Sequence, residues 1–231
     1  MGFIRHLKDS GLGDGSVYTY FNALLIVLNA AVREDLMEEN PSKRMDSRLK
    51  PKMKESTREF LTLDEVRTLM KTPCKDESLK AAFLFACFTG LRISDIRSLT
   101  WDKIIDEGGG KLQIQMVQSK TGNMVYIPLS SNALRWLPKR RAALVFPSLP
   151  LSPTMDRRLD KWAKSANIPK HVTFHVARHT NATLLLTYGA DIYTVSQLLG
   201  HRSLKTTQIY GKIIDETKRN AVNLIPDMCK D

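Results

Sequence analysis

The spacing of apolar residues changes along the chain, and each change marks an element. After the glycine-rich stretch from Gly11 to Gly15, Val17, Phe21, Leu24, Leu25, Leu28, Val32 and Leu36 recur at helical spacing, with Ser16 placed to cap. The pattern predicts one amphipathic helix that stops near Asn40-Pro41. A lone helix cannot bury its own apolar face, so residues 1–42 read as the remnant of a helical domain whose beginning is absent. Residues 43–58 carry Lys43, Arg44, Arg48, Lys50, Lys52, Lys54 and Arg58 with little apolar content, and read as a basic linker.

A second unit, residues 59–231, opens at Thr62-Leu-Asp-Glu65, where Thr62 and Glu65 match a capping box and Leu61 can staple onto Val66. A helix to about Met70 follows, then an apolar helical segment over 78–88 with Gly90 as its stop, then a turn of helix through Ile93, Ile96 and Leu99. There the period shortens to two. Leu112, Ile114 and Met116 alternate, as do Val125, Ile127 and Leu129, with Lys120 to Asn123 as the turn of a hairpin. Helical spacing returns near 155–166, 175–187, 191–199 and 203–210, and a last amphipathic piece carries Ile213, Ile214, Val222, Leu224 and Ile225. The fold class is mainly α with a small antiparallel β-sheet.

Composition adds a partner. With 35 Lys plus Arg against 24 Asp plus Glu, the net charge of +11 attracts a polyanion, and double-stranded DNA is the first expectation. Charge alone does not separate DNA binding from the basic character of many other proteins. Cys74, Cys87 and Cys229 show no CxxC spacing, which argues against a disulfide framework or zinc site and fits a reducing cytoplasm. Cys87 lies in the apolar run 81–88 and reads as core; that run is too short to span a bilayer, so no membrane partner is expected.

The candidate chemistry lies in the carboxy-terminal half. His171, His175, His179 and His201 crowd together, but no Cys or acidic ligand joins them, so a metal site is a poor reading. His175-Val-Ala-Arg178 sets an imidazole and a guanidinium one helical turn apart, a pair able to grip a phosphate. Thr89-Gly-Leu-Arg92 places another arginine at a helix start, a candidate phosphate clamp; the alternative is a surface arginine paired with Asp95 or Asp102, and Asp95 could serve either purpose by orienting the guanidinium. Lys120 sits in the hairpin turn, where Ser-Lys-Thr-Gly lacks the context of a phosphate-binding P-loop. Tyr210, taken alone, is an ordinary amphipathic tyrosine.

Taken in order, TGLRISD, a hairpin lysine, TFHVARHT, LLGH and a tyrosine resemble the tyrosine recombinase (phage integrase) family over roughly residues 57–215. The resemblance implies that family's catalytic fold and a remnant of its core-binding domain. It implies that Arg92, Lys120, His175, Arg178, His201 and Tyr210 form the catalytic set, with Tyr210 as nucleophile and Lys120 protonating the departing 5′-oxygen. His175 is favoured for acid–base work and His201 for phosphate contact. It further implies a 3′-phosphotyrosyl intermediate, no cofactor or metal, a homotetramer on paired DNA sites and accessory DNA-bending proteins. Integration or excision of a mobile element is the expected role. A non-catalytic DNA-binding regulator and a type IB topoisomerase-like enzyme are the alternatives; a histidine-based phosphatase or phosphotransferase lacks its motif.

Overall fold

The computed structural model describes residues 2–53 and 58–210, and the chain divides into two compact units, residues 1–57 and 58–231. The expected tail helix around Ile213 to Ile225, and Cys229, lie outside the described residues.

In the first unit a short helix, α1 (Gly2–Asp9), precedes the expected long one, α2 (Asp14–Arg33). Ile4 and Leu7 of α1 pack with Val17 and Phe21 of α2, which gives the first two turns of the long helix an apolar partner. The helix starts before Ser16: Gly13 stands at the N-cap, and Asp14 brings a carboxylate to the positive end of the helix. Ser16 therefore lies inside α2, and Leu36 lies beyond its end with 75% of its surface exposed. Two 3-10 turns, Pro41–Arg44 across the start of the predicted linker and Ser47–Leu49 within it, follow. Asn40 and Asp46 cap them by accepting from the amides of Ser42 and Arg48.

The second unit begins with α3 (Leu63–Lys71), whose capping box is complete: Thr62 Oγ1 accepts from the Glu65 amide and Glu65 accepts from the Thr62 amide at 2.7 Å. Helix α4 (Glu77–Thr89) is apolar on nearly every face and runs through the core against α8 (Phe174–Thr187). Phe83 of α4 meets Trp162 and Phe174 edge-on at 6.0 and 5.7 Å between ring centroids. Burial of one such ring contributes about 1.5–3 kcal/mol. After α5 (Ile93–Arg97) come three antiparallel strands in the order β1 (Ile104–Asp106), β2 (Leu112–Val117) and β3 (Met124–Pro128). Pairing of Ile114 with Ile127 and Met116 with Val125 turns one face of the hairpin into the core, as the alternation predicts. The first strand is short and mostly exposed, and carries no such alternation.

Helices α6 (Ser131–Arg135), α7 (Ser152–Ser165) and α9 (Ile192–Leu199) are the remaining α-helices among the described residues of this unit. The segment expected as helix over 203–210 is two 3-10 turns, Leu204–Thr206 and Gln208–Tyr210. Thr173 occupies the N-cap of α8, but its side chain makes no capping bond. Cys87 is buried in the core, where desolvation pushes its thiol well above the ordinary range.

Candidate active site

The site assembles where three segments distant in sequence meet: the turn entering α5, the hairpin turn and the end of α9. Arg92 stands at the N-cap of α5 and directs Nη1 to Oε1 of Gln118 at 2.6 Å. That amide also accepts from Thr121 Oγ1 at 3.0 Å and donates through Nε2 to the Leu199 carbonyl at 3.0 Å. Gln118 is almost wholly buried, so its polar atoms need partners, and they find them. Two further bonds dock the hairpin on the α9 end: Asn123 Nδ2 donates to the Gly200 carbonyl at 3.4 Å, and Arg202 donates to the Thr121 carbonyl.

Glycine is required at both ends of this joint. Gly200 holds φ +64°, and a β-carbon there would lie 2.5 Å from Gln118 Oε1. Gly90 holds φ +70°, and its β-carbon would meet Leu199 Cδ2 at 2.6 Å and Asn181 Oδ1 at 2.7 Å. The glycines of Thr-Gly-Leu-Arg and Leu-Leu-Gly-His are thus where backbone, helix and hairpin close on one another.

Arg178 of α8 reaches the same joint. Its Nη1 donates to the Gly90 carbonyl at 2.7 Å and its Nη2 to the Leu199 carbonyl at 2.5 Å. The Leu199 carbonyl therefore receives both Arg178 and Gln118, and through Gln118 it is linked to Arg92. Burial, and then the neighbouring Arg92 charge, brings the Arg178 guanidinium down to about 10, still protonated at neutral pH. Burial also lowers Arg92, with the Asp95 charge opposing. The Asp95 carboxylate does not hydrogen-bond the Arg92 guanidinium; it is fully buried, and its Oδ1 accepts from the Ser119 amide at 2.9 Å, which anchors the strand end that presents Lys120.

Tyr210 is buried against Leu186, Val195 and Leu199, with its hydroxyl 2.6 Å from Nδ1 of His179. Desolvation raises its phenol while the Arg178 and Arg58 charges work the other way. His201 follows α9 and pairs its Nδ1 with Thr207 Oγ1 at 2.8 Å. Burial, then Arg178 and Arg92, carries His201 down to about 4. His175 is lowered by burial first and by Lys120 and Arg178 next. These mutual influences bring all six expected residues, Arg92, Lys120, His175, Arg178, His201 and Tyr210, into one electrostatic field. His171 instead pairs with Asp160 of α7 at 3.1 Å on an exposed surface.

Three participants escaped the sequence reading. Gln118 continues the inward-facing parity of Leu112, Ile114 and Met116, so a polar side chain at a core position was its signal. His179 shares the helix face of His175 one turn on, yet was weighed only as a metal ligand. Arg58, read as part of the linker, places its charge on His175, His179, His201 and Tyr210.

A mainly helical unit with a three-stranded sheet brings two linked arginines and a buried tyrosine together. The family model described as "Phage integrase family" matches residues 59–216, and "Phage integrase SAM-like domain" matches residues 1–50. The chain belongs to the phage integrase family, the tyrosine recombinases. It is similar to tyrosine recombinase XerD of Proteus mirabilis, 30% identical over 93% of this chain and 73% of that protein. It is also similar to the XerD of Vibrio vulnificus strain YJ016, 32% identical over 80% of this chain and 65% of that protein. Among solved structures, a lambda integrase fragment, dimeric and bound to a core site, aligns with TM-score 0.72, 23% identity and coverage of 90% of this chain and 77% of that one. XerH bound to a palindromic difH substrate after cleavage aligns with TM-score 0.69, 18% identity and coverage of 92% and 68%. At these identities the structures establish the fold. The stretch matched by the SAM-like domain contains α2, whose 20 residues and mean hydropathy of 1.4 also satisfy the length and apolar content of a membrane span; the match gives that apolar helix a place in a small helical domain.

Proposed function

We propose that this chain performs site-specific recombination on double-stranded DNA in the cytoplasm, cleaving and rejoining strands through a covalent bond between Tyr210 and a 3′-phosphate. The observation that carries this reading is the linkage of Arg92 and Arg178 through Gln118 and the Leu199 carbonyl, beside a buried tyrosine. Binding alone needs no tyrosine at a site with two arginines.

Tyrosine is a weak nucleophile at neutral pH, so the attack requires loss of its proton and stabilisation of negative charge on the phosphate. Arg92 and Arg178 hold the non-bridging oxygens; their forks are already oriented by carbonyl and amide partners, so little reorganisation accompanies the reaction. Charge neutralisation falls to these guanidiniums, and the chemistry draws on no metal ion. Lys120, exposed at the hairpin turn, protonates the leaving 5′-oxygen, and His201 contacts the phosphate; His175, which the sequence favours for acid–base work, makes no hydrogen bond to Tyr210 among the described residues and is assigned to the phosphate as well. The ester stores the bond energy until a 5′-hydroxyl of a partner strand attacks. Four copies on paired sites, with DNA-bending accessory proteins, and integration or excision of a mobile element complete the proposal.

The test is incubation of the chain with nicked duplexes carrying candidate core sites, scored by a denaturation-resistant protein–DNA adduct. An adduct with the native chain that Tyr210→Phe abolishes supports the reading; DNA binding without an adduct supports a non-catalytic regulator.

A further inference from the structure

We infer that His179 is the catalytic group that takes the phenolic proton of Tyr210 during strand cleavage. The inference rests on the reading of Tyr210 as nucleophile and names the partner of its proton. His179 Nδ1 lies 2.6 Å from Tyr210 Oη, with the two rings 5.8 Å apart between centroids and inclined by 59°. The other two histidines of the cluster are differently disposed. His201 commits its Nδ1 to Thr207 Oγ1, and His175 is turned by the helix to the position one turn earlier, in the field of Lys120. The contact therefore singles out His179 as the imidazole already in place at the reacting oxygen.

Its surroundings favour an acceptor. Burial first, and then the charges of Arg58, His175 and Arg178, holds His179 neutral down to about 4, so at neutral pH the imidazole carries one proton. With that proton on Nε2, Nδ1 accepts from the phenol, which is itself buried and reluctant to ionise. Arg178, the next residue before His179, fixes the backbone of this turn of α8 through its two carbonyl bonds. The imidazole is consequently held by the same helix turn that holds the phosphate-binding arginine.

The step balances without an oxidant or reductant. The Oη–H bond breaks and its proton passes to Nδ1; the Oη electron pair forms the bond to phosphorus; the bond from phosphorus to the 5′-oxygen breaks; that oxygen takes a proton from Lys120. A weakly basic imidazole suffices because the phenol becomes strongly acidic only as its bond to phosphorus forms. The negative phosphate entering beside it offsets part of the cationic field that otherwise opposes an imidazolium.

The experiment has two arms on the full chain. Nitrogen-15 NMR of labelled histidines, without DNA, is compared between the native protein and Tyr210→Phe. The expected result is an unprotonated Nδ1 at His179 whose resonance moves when the phenol is removed; a protonated Nδ1, or no movement, overturns the inference. Single-turnover adduct formation is then compared for the native chain, His179→Ala and His179→Asn. Asparagine places an oxygen near the Nδ1 position and can accept the hydrogen bond, but it cannot carry the proton away. Both variants are expected to bind the nicked duplex normally and to cleave about 100- to 10,000-fold more slowly, with buffer imidazole restoring part of the rate of His179→Ala. His179→Asn cleaving at the native rate overturns the inference alone. Absence of any adduct from the native chain removes the Tyr210 reading as well, so the two failures are told apart.

Discussion

Arg92 and Gln118 share a 2.6 Å hydrogen bond from the guanidinium Nη1 to the amide Oε1, and that contact joins the start of α5 to the end of β2. Because the same amide donates to the Leu199 carbonyl, which also receives Arg178, the spacing of the two arginines is set by one buried side chain. The relationship makes Gln118 a positioning residue.

Gln118→Leu keeps the side-chain size but leaves Arg92 Nη1 and Thr121 Oγ1 without their acceptor. Loss of these partners is expected to destabilise the fold by about 1–3 kcal/mol. Adduct formation should fall further than stability alone explains, because Arg92 loses its orientation. Urea unfolding and single-turnover cleavage below the unfolding transition separate the two effects, and unchanged cleavage would sink the positioning role.

Arg178→Lys retains the charge and loses the fork. One ammonium cannot span the Gly90 and Leu199 carbonyls while reaching a phosphate, since the guanidinium geometry served both. The expected outcome is a stable, DNA-binding protein with little or no adduct. Adduct formation near the native rate would show that charge, not geometry, is what the site needs from this position.

Gly90→Ala forces a β-carbon against Leu199 and Asn181 at a positive φ. The left-handed backbone alone costs a non-glycine residue about 1 kcal/mol, and the clash adds to it. The effect should also displace the carbonyl that anchors Arg178. A lowered midpoint in urea, accompanied by slower cleavage, is expected; an unchanged midpoint would mean that the joint yields more freely than its packing implies.

The pH dependence has a definite sign. His179 and His201 sit at about 4 in the fold against an ordinary 6.5, with burial as the first cause in each case. As pH falls below about 6.5 the unfolded chain takes up protons that the folded pockets refuse, so stability drops toward pH 4 and levels off below it. His201→Asn can keep an acceptor facing Thr207 without titrating. The native protein should lose stability relative to this variant across that window, measured as urea midpoints, and a constant difference would contradict the burial of His201.

Features that depend on near neighbours could be read directly from the order of residues. The capping box at Thr62 and Glu65, the period-two alternation from Leu112 to Leu129, the stop at Gly90 and the ordered motifs from Arg92 to Tyr210 were legible, because each rests on residues a few positions apart. The short strand Ile104–Asp106 was not, since three mostly exposed residues carry no pattern and acquire their pairing only from β2. The helix α1 and the early start of α2 likewise depended on packing between Ile4, Leu7, Val17 and Phe21. Above all, long-range packing selects which polar groups share a site. Gln118 meets Leu199 across 81 residues, Asp95 meets Ser119 across 24 and His179 meets Tyr210 across 31. Local propensity acts over a turn of helix or a strand pair, whereas these contacts form because buried polar atoms must find partners wherever the folded core brings them.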